Sequence, residues 1–434
     1  MTLIIFDQHK HQKFDETYYH SNSNPAPIFP KLIGEHKTDI CIIGGGLTGI
    51  SSALNLAETG HSVTLIEGMR IGSGASGRNG GQIVQGYSSD IEATIKTVGQ
   101  EKSHLLWSLA QEAIEEIDRR ISLHEISCAR QVGYLFAATK NSQLKRLKRI
   151  SEKLKNTFNY EATSVIERDA LKNWVKTESY MGGLLDYGSG QFHSLKYLYG
   201  LAEAAANIGV QFFENSKAIQ ILGGDTITVT TACGSVKAKT LVVAGNAYLK
   251  GLDNTLQRKI SRVTSTVGVT TPLSPKQINS VLPGGVPVAD CNNILDYFRV
   301  TDDKRLLFGA GADYLGRETK NKKRLIRNRI IKLFPQLNDF DLEYVWNGFI
   351  AATRNQLPEI TCSQQNIYIA QGFSGHGLAL TGLAGMIITE KINGISERFD
   401  IFASINHQDM PSHPYRNPLL ITAMLINKLK DLYH

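Results

Sequence analysis

The 434-residue chain is poor in cysteine: Cys41, Cys128, Cys233, Cys291 and Cys362 are all it has, and no two stand as C-x-x-C. That scarcity offers neither a zinc framework nor a disulfide scaffold and suits a reducing compartment, so a cytoplasmic protein with no bound metal is expected. Long apolar runs are also missing. The C-terminal stretch 418–426 falls well short of the ~20 residues a membrane-crossing helix needs, and residues 3–6 meet Asp7 at once, too early for a secretory signal. Residues 419–432 instead read as an amphipathic terminal helix that packs on the body or touches a membrane surface. Charge of one sign is scarce too: 47 Lys and Arg against 40 Asp and Glu leave a net charge of +7. Basic clusters such as Lys145, Arg146, Lys148 and Arg149 lie on segments that read as solvated helix faces, and nothing indicates a nucleic-acid partner. Neither repeats nor low-complexity tracts occur beyond the Asn- and Pro-bearing arm, residues 1–35.

What is present is core material, 42% hydrophobic, and 39 glycines whose positions matter more than their number. Residues 39–43 read as an apolar strand, 44–49 as a glycine turn, 50–59 as a helix and 61–66 as a second strand ending at Glu67, a βαβ unit. A helical section over 90–120 carries Trp107, Ala110, Ile114 and Ile117 as a packed stripe. A strand over 131–138 and a helix over 143–154 follow, and glycines at 182, 183, 188 and 190 punctuate the approach to a helix over 194–206. Strands at 210–213, 226–231 and 240–243 read as a return to the first domain. Short β segments dominate 261–309, a helix spans 325–334, and a strand (367–370), glycine turn and helix (378–392) close the series. The pattern predicts an α/β Rossmann-like cofactor domain (36–120, 190–250 and 355–400) interleaved with a β-rich α+β substrate domain (121–189 and 251–354), then an extension over 401–434.

Gly44, Gly46 and Gly49 keep the G-x-G-x-x-G spacing between that first strand and helix. The first glycine permits a tight turn, the second lets backbone approach a pyrophosphate, and the third allows close helix packing, with Leu47 and Thr48 offering N–H groups at the helix start. Glu67 follows about 20 residues on, where a carboxylate accepts ribose hydroxyls; a 2′-phosphate would meet like charge there, which favours FAD or NAD over NADP. The next loop, Gly72 to Gln82, supplies backbone donors at Gly74, Ala75, Asn79, Gly80 and Gly81, hydroxyls at Ser73 and Ser76, and a cation at Arg78.

Gly44 to Gly49, Glu67 and especially Gly74 to Gln82 resemble the glycine oxidase, sarcosine oxidase and D-amino acid oxidase superfamily of FAD-dependent amine oxidoreductases. Tyr18 and Tyr19, residues 24–27, 77–82 and 398–432 further resemble the gamma-glutamylputrescine oxidase group within it. The resemblance implies FAD as cofactor and a small-molecule amine and oxygen as reactants, with oxidation of the amine to an imine, hydrolysis to an aldehyde and release of hydrogen peroxide. A dehydrogenase using another acceptor, or an FAD-binding assembly protein without turnover, shares the same signature. It also implies that Ala218, Ala244 and Gly245 contact the cofactor through backbone, and that Gly372, Ser374, Gly375, His376 and Gly377 form a turn closing over the flavin. His376 there contacts flavin or substrate, or satisfies nearby backbone; it is the catalytic candidate. Covalent flavin attachment is not expected, because residues 351–358 lack the cysteine that some sarcosine oxidases use and Cys362 does not reproduce its position.

For the substrate, Tyr297 and Arg299 share one face of a strand. They form a pocket pair, or a core aromatic beside a surface arginine. Trp346 walls the pocket or fills the core, and Arg354 binds a distal carboxylate or is a structural charge.

Overall fold

The computed structural model describes residues 17–23, 26–249, 251–252, 257–364, 366–411, 421–422 and 426. Two sheets organise it. The first runs, in spatial order, Glu359–Gln364, Ile367–Gln371, Gly234–Val243, Gly34–Ile43, Val63–Ile66 and Gln211–Phe213, with Ile227–Thr230 and Gln220–Leu222 attached to Gly234–Val243 as an antiparallel edge. Gly34–Ile43 pairs in parallel with both Val63–Ile66 and Gly234–Val243. Side chains of Ile40 and Ile42 point to one face and Cys41 and Ile43 to the other, all buried, so the strand reads as an unbroken apolar run. The helix Leu47–Glu58 covers one face and packs against Gly377–Ile392 and Ser194–Asn207. Its Gly385 contact is close: a Cβ at Gly385 would lie 2.7 Å from Ser52 N.

The second sheet is nine-stranded: Leu342–Ala352, Ser261–Thr270, Leu306–Asp313, Tyr297–Val300, Val288–Asp290, Gln131–Ala138, Gly182–Gln191 and Gln82–Ile83 in order, with Thr163–Glu167 paired to Gly182–Gln191. Most neighbours are antiparallel. The chain passes from the first sheet to the second and back twice, which is the expected interleaving of an α/β cofactor unit with a β-rich one.

Two local expectations change and one gains a break. The glycines over 182–190 do not make a loop; they lie within the strand Gly182–Gln191. A Cβ at Gly183 would sit 2.6 Å from Phe136 O, and one at Gly190 2.0 Å from Gln131 O, so glycine is what lets this strand lie against its neighbour. The helical section expected over 90–120 is present as two helices, Ile91–Val98 and Gln100–Leu123, separated where Gly99 turns to φ +84°. And the arm is not irregular throughout: Tyr18–Ser21 is a helical turn whose Tyr18 and Tyr19 are 1% and 0% exposed. Tyr18 donates its hydroxyl to Asp303 at 2.7 Å, and Asn22 Nδ2 donates to the same carboxylate at 2.9 Å. Residues 1–16, 24 and 25 of the arm, and most of the expected terminal helix over 419–432, lie outside the described residues; Ile421, Thr422 and Ile426 are helical.

Below that turn, His193 caps the helix Ser194–Asn207, its Nδ1 accepting from Lys196 N at 3.2 Å, while its ring meets Tyr19 edge-on at 4.9 Å. Burial pushes its pKa down to about 3 from an ordinary 6.5, helped by the positive charges of Lys196 and Arg299. Between those values the unfolded chain takes up a proton that the folded one refuses. Stability from this group is therefore intact above pH 6.5 and falls as the pH drops below it, by about 2 kcal/mol at pH 5. His193→Asn keeps a capping acceptor without a titrating ring. Its urea midpoint is expected to fall less steeply than the parent's between pH 6.5 and 4.5; parallel slopes would show that His193 does not titrate on unfolding.

Candidate active site

One large cavity, about 1260 Å³, lies between the two sheets and is lined from both. It exceeds the ~300–1,000 Å³ of a pocket for a drug-sized ligand, as room for a dinucleotide plus a substrate requires. A smaller hollow of about 600 Å³, lined by Arg168, Lys172, Lys332 and neighbours, contains none of the expected site residues.

The cavity begins at the glycine turn. Gly44 has φ +113°, and a Cβ there would lie 2.8 Å from Ala244 O, so two strand ends approach through it. Gly46 caps the helix Leu47–Glu58, and Leu47 N donates to Ser76 Oγ at 2.9 Å, tying the helix start to the following loop. Gly44, Gly46, Leu47 and Thr48 line the cavity; Gly49 stands behind them, packed on Gly44. The Glu67 carboxylate accepts from Gly45 N at 2.7 Å and Met69 N at 2.8 Å, which orients it. Burial raises its pKa above the carboxylate norm against the pull of those N–H groups. This is a cradle of backbone donors beside an acidic residue, and it fits the pyrophosphate and ribose of FAD.

The loop after Arg70 continues along the same wall. Ser73, Gly74, Ala75, Ser76, Arg78, Asn79, Gly80 and Gln82 line the cavity, while Gly81, at φ +71°, is turned away against Arg299. Asn79 Oδ1 accepts from Gly81 N at 2.8 Å, and its Nδ2 donates to Ala75 O and Ser76 O, so the loop holds itself in shape. Arg78 is 7% exposed and donates through Nε to Ser73 O at 2.9 Å. Ala218, Ala244 and Gly245 line the wall from the other strands.

The second glycine turn faces this loop. Ser374, Gly375, His376 and Gly377 line the cavity, whereas Gly372 shapes the turn from behind, its φ at +74° and its N donating to Asn246 Oδ1 at 3.0 Å. Gly377 starts the helix Gly377–Ile392, so a helix N-terminus also opens here, suited to negative charge on a bound group. His376 is half-buried, and its partial desolvation lowers its pKa to about 4 despite a hydrogen bond to the Gly86 backbone; its Nδ1 has no partner in the protein.

The four substrate candidates divide. Tyr297 lines the cavity, its hydroxyl 3.3 Å from Ser265 Oγ, and a Cβ at Gly80 would come within 2.6 Å of its ring. Arg354 also lines it and is exposed. Arg299 does not: it is 4% exposed, donating to Gly80 O at 2.7 Å and to Tyr19 Oη at 3.3 Å, so it braces the loop from behind. Trp346 is 0% exposed, with Nε1 donating to Arg78 O at 3.0 Å, and belongs to the core beneath the loop. Asn347 and Gly348, next to it, are the residues that reach the cavity.

Sequence reasoning passed over Tyr248, Gln85, Tyr134, Tyr160 and Asp186, all on the cavity wall, and counted Trp107 only as helix packing. No motif spacing marks them, because two strands, a helix, a short helical turn and two loops bring them together.

Among the described residues Cys41, Cys128, Cys233 and Cys291 are free. Cys362 is not on the cavity wall; Cys291 is, with burial pushing its thiol pKa up to about 12, so it stays an unreactive thiol at neutral pH. Acid denaturation is therefore expected to release all flavin into the supernatant; yellow colour remaining on the precipitated chain would reveal a covalent link.

Residues 39–391 match the family model described as FAD dependent oxidoreductase (DAO). The chain is 39% identical over 396 residues to gamma-glutamylputrescine oxidoreductase of Escherichia coli, covering 91% of this chain and 93% of that one. It is 37% identical over 400 residues to the probable oxidoreductase OrdL of Haemophilus influenzae, with 91% and 92% covered. Among solved structures, glycine oxidase from Geobacillus kaustophilus superposes with a TM-score of 0.72 at 21% identity, covering 86% of this chain and all of that one. No described helix is long and apolar enough to cross a membrane. The chain belongs to the DAO family of FAD-dependent oxidoreductases, enzymes that oxidise amines and amino acids, and sits near the gamma-glutamylputrescine oxidoreductase and OrdL proteins within it.

Proposed function

We propose that the chain oxidises the free primary amine of gamma-glutamylputrescine or a related N-acylated diamine, giving an imine that water hydrolyses to the aldehyde, with oxygen as final acceptor and hydrogen peroxide released. The observation that carries this reading is the extent of the cavity. Its wall takes in Trp107, Tyr134, Tyr160 and Asp186 besides the turn at His376, and we read this as room for a substrate longer than glycine. The similarity to gamma-glutamylputrescine oxidoreductase of Escherichia coli supports the same substrate class.

Bound FAD supplies the acceptor for the hydride equivalent removed from the amine-bearing carbon. In this reading Gly46, Leu47, Thr48 and the Ser73–Gln82 loop hold its phosphates and ring, and Glu67 holds the ribose. His376, held neutral by partial desolvation, directs an unpartnered Nδ1 that accepts a hydrogen bond from the amine N–H when Nε2 carries the proton. Such a contact orients the substrate carbon without removing a proton in the rate-determining step. Tyr297 walls the reacting end, and Arg354, exposed at the cavity rim, meets a distal carboxylate. The few, widely spaced cysteines suit a reducing compartment and support a cytoplasmic location in this reading.

Mixing the FAD-loaded protein anaerobically with gamma-glutamylputrescine should bleach the oxidised flavin band in a concentration-dependent way, and admitting air should restore it with one peroxide per turnover. Bleaching without reoxidation by air would assign a dehydrogenase; no bleaching with any N-acylated diamine would overturn the substrate class.

A further inference from the structure

Next to His376 the cavity has a wall whose members are linked to one another. Gln85 N donates to Ser189 Oγ at 2.8 Å; the Ser189 and Tyr160 hydroxyls donate to opposite oxygens of Asp186; and the Tyr160 ring meets Trp107 edge-on at 5.2 Å. Gly86 closes the circuit, since a Cβ on it would lie 3.2 Å from Trp107 Cζ3 and its backbone also bonds His376. Gln85 and Trp107 are 9% and 8% exposed, yet Gln85 Nε2 and Trp107 Nε1 have no partner in the protein. Buried donors are rarely left unpaired, and the indole N–H cannot be reassigned as an acceptor. Both residues line the cavity, and their two unmet donors call for an oxygen that the protein itself does not supply.

Asp186 decides which kind. Its Oδ1 takes Tyr160 and Gly188 N, the latter at 3.0 Å, while Oδ2 takes Ser189 and keeps room for a second donor. A ligand carboxylate would face this acid; Arg146, one of the four arginines lining the cavity, is already paired with Asp90. A neutral amide satisfies both sides, its oxygen toward the two N–H groups and its N–H toward the carboxylate. Resting on the amine-oxidising reading above, we infer that Trp107 and Gln85 bind the amide carbonyl oxygen of an N-acylated diamine, with Asp186 receiving its amide N–H, and so select acylated over unacylated amines.

The test compares three amines of similar length in anaerobic flavin reduction by the holoenzyme: N-acetylputrescine, heptylamine, which lacks the amide, and 6-aminohexanoate, which carries a carboxylate instead. The parent protein is expected to prefer N-acetylputrescine in kcat/KM by at least about a hundredfold. Trp107→Phe and Gln85→Leu should each shrink that preference at least about tenfold, the change entering KM rather than the limiting reduction rate. Gln85→Leu reports independently if Trp107→Phe disturbs its helix. Undiminished preference in both variants overturns the inference while leaving the amine oxidase intact, and a parent preference for 6-aminohexanoate overturns it in favour of a carboxylate. Flavin that no amine reduces overturns the functional reading and this inference with it.

Discussion

Replacing Gly49 by alanine is expected to abolish cofactor retention. A Cβ at this position would lie 1.9 Å from Gly44 O and 3.1 Å from Gly44 C, distances no rotamer change relieves because both atoms are backbone. Gly44 cannot yield either. Its own φ is +113°, and it is pressed toward Ala244 O on the opposite side. The first turn of Leu47–Glu58 must therefore move out of the cradle, and with it Leu47 and Thr48, which line the cavity. Overpacking of this severity costs about 3 kcal/mol or more. The variant should purify colourless, or with a small fraction of the parent's flavin-to-protein absorbance ratio, and should melt well below the parent. Full flavin content would mean that the third glycine is not needed for the helix to reach its place. Gly60→Ala is a useful control: Gly60 also has positive φ, but a Cβ there meets nothing within 4 Å, so the strain is local and the cradle is untouched.

Trp346→Ala should be the most destabilising substitution beneath the flavin loop, by about 3–5 kcal/mol. The indole is 0% exposed, packs against Tyr19 with ring centroids 6.0 Å apart, and donates to Arg78 O. Its loss leaves a cavity and an unmet carbonyl in the loop that carries Arg78, Asn79 and Gly80. Trp346→Phe separates the two effects, keeping most of the volume while removing the N–H; it should cost about 1–3 kcal/mol, the range for stranding one buried polar group. Both variants are to be compared by melting temperature and by KM at a temperature where each is folded. A lowered melting point with KM close to the parent's identifies a core residue. A large rise in KM in a protein of undiminished stability would put Trp346 in contact with substrate after all.

Trp346 shows what one-dimensional reading leaves open. A tryptophan beside Asn347 and Gly348 fits a pocket wall and a core equally, because strand alternation reveals that neighbours face opposite ways without revealing which way is in. The structure resolves it: Asn347 and Gly348 reach the cavity while the indole turns under the loop. Tyr297 and Arg299 are a sharper case. They share one face of Tyr297–Val300, with Phe298 opposite, stacked on Phe308 at 5.5 Å. Yet one lines the cavity and the other is buried behind Gly80 and Gly81, because the loop 72–82 passes over that face, touching the Tyr297 ring at Gly80 but burying the arginine.

The glycine-rich strand Gly182–Gln191 and the helical turn Tyr18–Ser21 escaped for a related reason. Glycine is a turn signal locally, but here it answers Phe136 O and Gln131 O on a strand some fifty residues away in sequence. The paired tyrosines stand in a polar, proline-bearing stretch with no periodicity, and their burial depends on His193, Tyr344 and Trp346 closing around them.

By itself the sequence determined those features whose physics is contained in a short span. The βαβ unit, the glycine spacing that brings a helix N-terminus against a strand end, the acid that ends the second strand, and the alternation of α/β with β-rich segments all depend on periods of 2 and 3.6 and on fixed offsets. Only the tertiary structure decided the cavity wall of Gln85, Trp107, Tyr160 and Asp186, the neutral state of His376, and the division of the aromatic and arginine candidates between wall and core. Those depend on burial and on which donors find partners, quantities that exist only once two sheets and the loop between them have packed.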